Sequence, residues 1–130
     1  MNYKNTYHQF LLDHYNHART RGTLEKADFS SGVYNPSCGD SVAIQGLVSD
    51  NILTVCRFQA TGCVISGAAA SLLMEKAQGQ TIQTILGYTS QTMLDLVQLP
   101  LGPTRLRCAL LALEALQDGI KKMSKKGIGS

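Results

Sequence analysis

Tyr3, Tyr7, Phe10, Leu11 and His14 fall at intervals of three and four, the spacing of one face of an amphipathic helix over residues 3–17. A polar connection follows, "ARTRGTLEKADFSSG", punctuated by Gly22 and Gly32. The period then changes. Val42, Ile44 and, after an interruption at Gly46, Val48 mark one alternating run, and Ile52, Thr54, Cys56 and Phe58 mark a second. "SDN" between them is a hairpin signal, so two antiparallel strands are predicted. A third, short strand is expected either before Pro36 or near Gln59–Thr61. From Val64 the helical period returns, with Ile65, Ala68, Ala69, Leu72 and Leu73 on one stripe and a stop at Gly79. "TIQTILG" and "SQTMLDLVQL" read as two shorter helices with Thr81 and Ser90 as N-caps. Pro100 and Pro103 break the chain. Thr104 is expected to cap a last helix whose buried stripe is Leu106, Ala109, Leu110, Leu113, Leu116, Ile120 and Met123. Its outer face carries Arg107, Glu114, Asp118, Lys121 and Lys125. The predicted class is α+β, a small antiparallel sheet of about three strands covered by helices.

The 130 residues suit one domain, 1–130, and a 44% hydrophobic content suffices for a core without covalent staples. The net charge of +3 is weakly basic and concentrates in "KKMSKK", at the end of the last helix, where cations complement the helix dipole. No groove-reading motif accompanies these lysines, so nucleic acid is not an expected partner. No apolar run approaches the ~20 residues of a membrane span. The start "MNYKNTYHQF" lacks a signal-peptide hydrophobic region, so a cytoplasmic location is expected. In that compartment four cysteines point to metal or thiol chemistry rather than to disulfides.

Three of the four share a context. Cys38 sits in "YNPSCGDS", between a Pro-Ser turn and a Gly-Asp pair, which suggests a sharply turning loop. Cys63 follows "TG" and opens a helix, and Cys108 lies in the first turns of the last helix. Two helix N-termini would thus place thiols in a field that favours thiolate, the form that binds metal and attacks sulfur. Asp40 adds an oxygen two residues from Cys38. Three sulfurs and one oxygen suit a tetrahedral Zn²⁺ site or the mount of an iron–sulfur cluster. Cys56, on a strand's apolar alternation, is expected to be a core cysteine. Among His8, His14 and His17, the pair His14 and His17 has i,i+3 metal spacing. A surface or partner-facing role is the favoured reading, and Asp13 and His14 can form a local pair.

"NPSCGDSV", "ATGCVISGAAASLLMEKAQGQT" and "RLRCALLALEAL" together resemble the U-type iron–sulfur scaffold family, which comprises IscU, SufU and the N-terminal part of NifU. "LLDHYNHARTRGTL" is similar to that family's first segment. The resemblance implies a compact α+β domain of the SufE/IscU type, with Cys38, Asp40, Cys63 and Cys108 at one surface site. It implies sulfur supplied by a pyridoxal-phosphate cysteine desulfurase of the SufS, IscS or NifS type, and transfer to downstream iron–sulfur acceptor or carrier proteins. Scaffold-type members build a [2Fe–2S] cluster there, with iron as a transient substrate, and are not enzymes in the usual sense. SufU-type members bind Zn²⁺ and relay sulfur as a persulfide.

The subtype stays open. IscU-type proteins carry a histidine before the third cysteine, where this chain has Arg107. SufU-type proteins have a basic residue there and an arginine that Arg105 matches, but they also carry an insertion that is absent here. "LPLGPTR" only loosely resembles the scaffold's chaperone-recognition segment. Arg105 and Arg107 would offset the excess negative charge of three thiolates and a carboxylate around Zn²⁺. Cys38, on the loop between Pro36 and Gly39, is expected to be the first sulfur acceptor, with Cys108 next. Three functions follow as alternatives: a cluster scaffold, a zinc-dependent sulfurtransferase, and a structural zinc module that only binds other proteins.

Overall fold

The computed structural model describes residues 3–36, 39–98 and 101–127; Cys38 and Pro100, and the side chains of Tyr3, Tyr7, His8 and Lys125, lie outside that description. Strands β1 (Phe29–Asn35), β2 (Asp40–Ser49) and β3 (Ile52–Thr61) form one antiparallel sheet in the order β1-β2-β3. The third strand therefore precedes Pro36, while Gln59–Thr61 prolong β3. Asp50 (φ 53°) and Asn51 (φ 63°) are both left-handed, the geometry of the tight primed turn that short polar residues tolerate between paired strands.

Val42 and Ile44 point into the core as their alternation predicts. Gly46 does not interrupt the strand. A Cβ at that position would lie 2.5 Å from the Phe29 ring and 2.9 Å from Leu53 Cδ1, so the glycine makes room for Phe29 over the sheet. On β3 the expected face needs correction. Leu53, Cys56 and Phe58 are buried, whereas Thr54 is exposed and Ile52 half-buried. Leu47 faces Val55 and Val48 faces Leu53, which leaves Thr54 as the extra residue of a bulge. Its hydroxyl donates to the Leu47 carbonyl at 3.0 Å. One inserted residue moves everything on one side of it to the opposite face.

Helices α1 (Tyr3–Asn16), α2 (Val64–Ala77), α3 (Ile82–Leu86), α4 (Ser90–Val97) and α5 (Pro103–Gly127) complete the chain. Helices α2 and α5 pack on each other and on the sheet, α1 lies against α2, and α4 bridges α2 and α5. Alanines 68–70 let neighbours approach α2 closely, and the helix is buried from Ser66 to Met74 on every side. Thr81 caps α3 as predicted, accepting from the Thr84 N–H at 3.2 Å. The cap of α4 is Thr89 rather than Ser90; its own N–H donates to the Thr92 hydroxyl at 3.0 Å. Pro103 opens α5, where a missing N–H costs nothing, and Thr104 falls in the first turn instead of capping it. Ala109, Leu113, Leu116 and Ile120 are buried as expected. The stripe also takes in Leu111, Ala112 and Ala115, because α5 faces both the sheet and α2. Among the described residues no helix is long and apolar enough to cross a membrane.

Candidate metal centre

Asp40 is the first residue of β2, paired across the sheet with Asn35, and only 2% of its surface is exposed. At the same end of the sheet β3 finishes at Thr61, Gly62 turns the chain, and Cys63 occupies the N-cap position of α2. Gly62 has φ +116°, and a Cβ there would overlap the Asp40 carboxylate and come within 2.8 Å of the Asp40 Cα. Both conditions demand glycine. The close approach lets Cys63 N–H donate to Asp40 Oδ1 at 3.0 Å, while the Cys63 Sγ lies 3.2 Å from Oδ2. Ser66, in the first turn of α2 and fully buried, donates to the same Oδ2 at 2.7 Å. Cys108, 3% exposed, reaches the carboxylate from α5 and hydrogen-bonds to it. The ligand atoms of Asp40, Cys63 and Cys108 lie within 4.8 Å of one another.

Burial acts to raise the Asp40 pKa, but the hydrogen bonds from Cys108, Ser66 and Cys63 together outweigh it and hold the carboxyl well below the usual carboxylate range. An ionised, buried carboxylate surrounded by two thiols is a donor set that fits a metal ion. If both thiols give up their protons, two sulfurs and one oxygen face a common point, and thiolate sulfur suits zinc and iron–sulfur chemistry. The helix dipole serves the two thiols unequally. Cys63 sits at the very start of α2, whereas Cys108 is in the second turn of α5, past the range over which the field is strong.

The structure thus brings together Asp40, Cys63 and Cys108, and Cys38 lies outside the described residues. Arg105 and Arg107 are exposed on α5, and neither is among the groups acting on the Asp40 carboxyl. Cys56 stands apart, fully buried, with burial pushing its pKa up to about 12. Its Sγ lies 3.6 Å from the Met74 carbonyl and 3.7 Å from Gln78 Oε1, as befits a core thiol. His14 does not pair with Asp13. Its Nδ1 lies 3.0 Å from the Ser71 hydroxyl and 3.8 Å from Glu75, so it joins α1 to α2. Sequence reasoning missed Ser66 and Gly62. Ser66 looks like a gap in an apolar helix, and its position in the first turn after Cys63 is the one signal that marks it.

A three-stranded sheet under two long helices, with thiols and a carboxylate gathered where strand and helix ends meet, defines a class of small α+β proteins with a cysteine-and-aspartate centre. The description of the NifU-like N-terminal domain matches residues 6–128, and the chain belongs to that family. It is 28% identical to the iron-sulfur cluster assembly scaffold protein IscU of Thermotoga maritima, over 96% of this chain and 99% of that one. It is 30% identical to the zinc-dependent sulfurtransferase SufU of Bacillus subtilis, over 89% of this chain and 90% of that one. The fold matches the crystal structure of the SufU protein from Fervidobacterium islandicum with a TM-score of 0.73 at 22% identity, over 86% of this chain and 94% of that one.

Proposed function

We propose that this chain is an iron–sulfur cluster assembly protein of the U type, working in the cytoplasm. It accepts sulfur from a pyridoxal-phosphate cysteine desulfurase, holds iron and sulfur as [2Fe–2S] cargo on Cys38, Asp40, Cys63 and Cys108, and passes the cargo to downstream acceptor or carrier proteins. The observation that carries this reading is the convergence of Asp40, Cys63 and Cys108, from a strand and two helices, within 4.8 Å. Sulfur transfer is redox-neutral. A thiolate of this chain attacks the outer sulfur of the donor's cysteine persulfide, a new S–S bond forms, the donor's S–S bond breaks, and the donor cysteine leaves as thiolate.

A second reading, a zinc-dependent sulfurtransferase that relays sulfur without building a cluster, is supported by Arg107 at the position where scaffold-type members carry histidine. Zn²⁺ bound to the same residues would supply positive charge that keeps their sulfurs deprotonated. Anaerobic reconstitution with iron and sulfide separates the readings. Visible sulfide-to-iron charge-transfer absorption is expected for the scaffold. Zn²⁺ content with faster desulfurase turnover and no cluster would favour the relay. Zn²⁺ with neither would reduce the chain to a structural module.

Metal uptake is expected at about one Zn²⁺ per chain, with chelation lowering the melting temperature. At a thousandfold excess of free metal over Kd the stabilisation is about 4 kcal/mol. A free thiol loses its proton only near pH ~8.5, so bound metal must displace protons. Affinity therefore rises with pH and falls as pH drops, about tenfold per pH unit for each proton displaced. Calorimetric melting of metal-loaded and chelated protein at pH 6 and 8 checks this, and identical melting curves would refute it.

Asp40→Ala is expected to lengthen the life of a reconstituted cluster. A carboxylate oxygen is a harder donor than thiolate and the easiest of the four ligands to exchange from iron. With it gone the remaining sulfurs hold the cargo, and release slows about tenfold, ~1.4 kcal/mol in barrier. Decay of the visible absorption under identical anaerobic conditions measures it. Faster decay in the variant would show that Asp40 anchors the cluster instead.

A further inference from the structure

One polar group bound into the centre is not among the expected ligands. Ser66 is fully buried, and its hydroxyl donates to Asp40 Oδ2 at 2.7 Å, closer than either the Cys63 N–H or the Cys63 Sγ comes to that carboxylate. Its Oγ also lies 3.5 Å from Cys63 Sγ. The carboxylate is therefore held at both oxygens, Oδ1 by the Cys63 N–H and Oδ2 by Ser66. The thiols that share the task are not permanent donors, because any metal they bind takes the place of their protons. The Cys63 N–H and the Ser66 O–H are the donors that persist in both states. Only the second belongs to a side chain and can be removed without altering the backbone.

We propose that Ser66 is the positioning residue of the metal centre: through its hydrogen bond to Oδ2 it orients the Asp40 carboxylate toward the point shared by Cys63 and Cys108. This rests on the reading of the centre as a metal site. An oxygen has more than one lone pair, so Oδ2 can accept from Ser66 while another pair faces the metal. The rigidity of α2 fixes the donor. Ser66 lies in its first turn, buried on a helix that is packed on every side, so its Oγ has no alternative solvent partner. Partners that orient a ligand in this way are worth about 10–100-fold in metal affinity.

The test measures Zn²⁺ affinity by competition with a chromophoric chelator, for the wild type, Ser66→Ala, Ser66→Thr, Asp40→Ala and the Ser66→Ala/Asp40→Ala double variant, each checked for folding by circular dichroism. Ser66→Ala is expected to bind Zn²⁺ about 10–100-fold more weakly. Ser66→Thr, which keeps the hydroxyl, should recover most of that loss. In the Asp40→Ala background, removing Ser66 should cost nothing more, because the oxygen it serves is gone. Equal affinity in Ser66→Ala and wild type overturns the assignment. So does an equal further loss in the double variant, which would mean that Ser66 supports the helix and not the carboxylate. A wild-type protein that takes up no Zn²⁺ overturns the metal reading itself and this role with it.

Discussion

Gly62→Ala is expected to lower stability by about 3 kcal/mol or more and to abolish tight Zn²⁺ uptake. Two penalties add. A residue other than glycine at φ +116° is strained, by roughly 1–3 kcal/mol. The added Cβ also runs into the Asp40 carboxylate and backbone, and overpacking of this kind costs about 1–3 kcal/mol. Rotating the carboxylate does not relieve the overlap, because the Asp40 Cα itself would be 2.8 Å away. The chain must separate β2 from the start of α2, which breaks the Cys63 N–H bond to Oδ1 and displaces Cys63 from Asp40. A loss near 3 kcal/mol corresponds to a fall on the order of 10 °C in melting temperature. Thermal melts with and without Zn²⁺ read both effects. A variant that melts and binds like the wild type would mean that the turn can shift without disturbing the carboxylate.

Cys38→Ser is expected to remove nearly all early sulfur transfer, cutting the initial rate of adduct formation about a hundredfold, ~2.7 kcal/mol in barrier. Cys108 is buried to 3% exposure and engaged with Asp40, so it is poorly placed to meet a donor protein's persulfide. Cys63 is exposed, yet its N–H and Sγ are both turned to the same carboxylate. Cys38 belongs to the connection between β1 and β2, flanked by Pro36 and by Gly39 at φ +77°. The measurement is mass spectrometry after brief incubation with desulfurase and cysteine, locating the residue that gains one sulfur atom. If Cys38→Ser gains sulfur at the wild-type rate while Cys108→Ser does not, the two exchange roles. An adduct that persists in both variants would move the acceptor to Cys63.

The helices and the hairpin were legible because their signals are local. The 3.6-residue period, "SDN" and Thr81 each depend on neighbours a few positions away. The failures are of another kind. The face of β3 around Thr54 depends on which β2 residue stands opposite, so no alternation within β3 could reveal the bulge. Gly46 reads as a break until Phe29, from another strand, is placed over it. Thr89 and Ser90 are both good caps, and only the reciprocal bond between Thr89 and Thr92 distinguishes them. At the centre, Asp40, Cys63 and Cys108 stood out because their chemistry is unusual wherever it appears. Ser66 and Gly62 did not, since serine and glycine are ordinary residues near a helix start. Their roles exist only once Asp40, distant along the chain, is brought against them.

Cys56 has a practical consequence of its own. A thiol fully enclosed by α2 and β3, with its pKa raised to about 12, is unreactive at neutral pH for as long as the chain stays folded. In any alkylation or sulfur-mapping experiment it serves as a built-in integrity gauge: a peptide containing modified Cys56 reports molecules that opened, and the unmodified fraction gives the population in which labelling at the other three cysteines can be taken at face value.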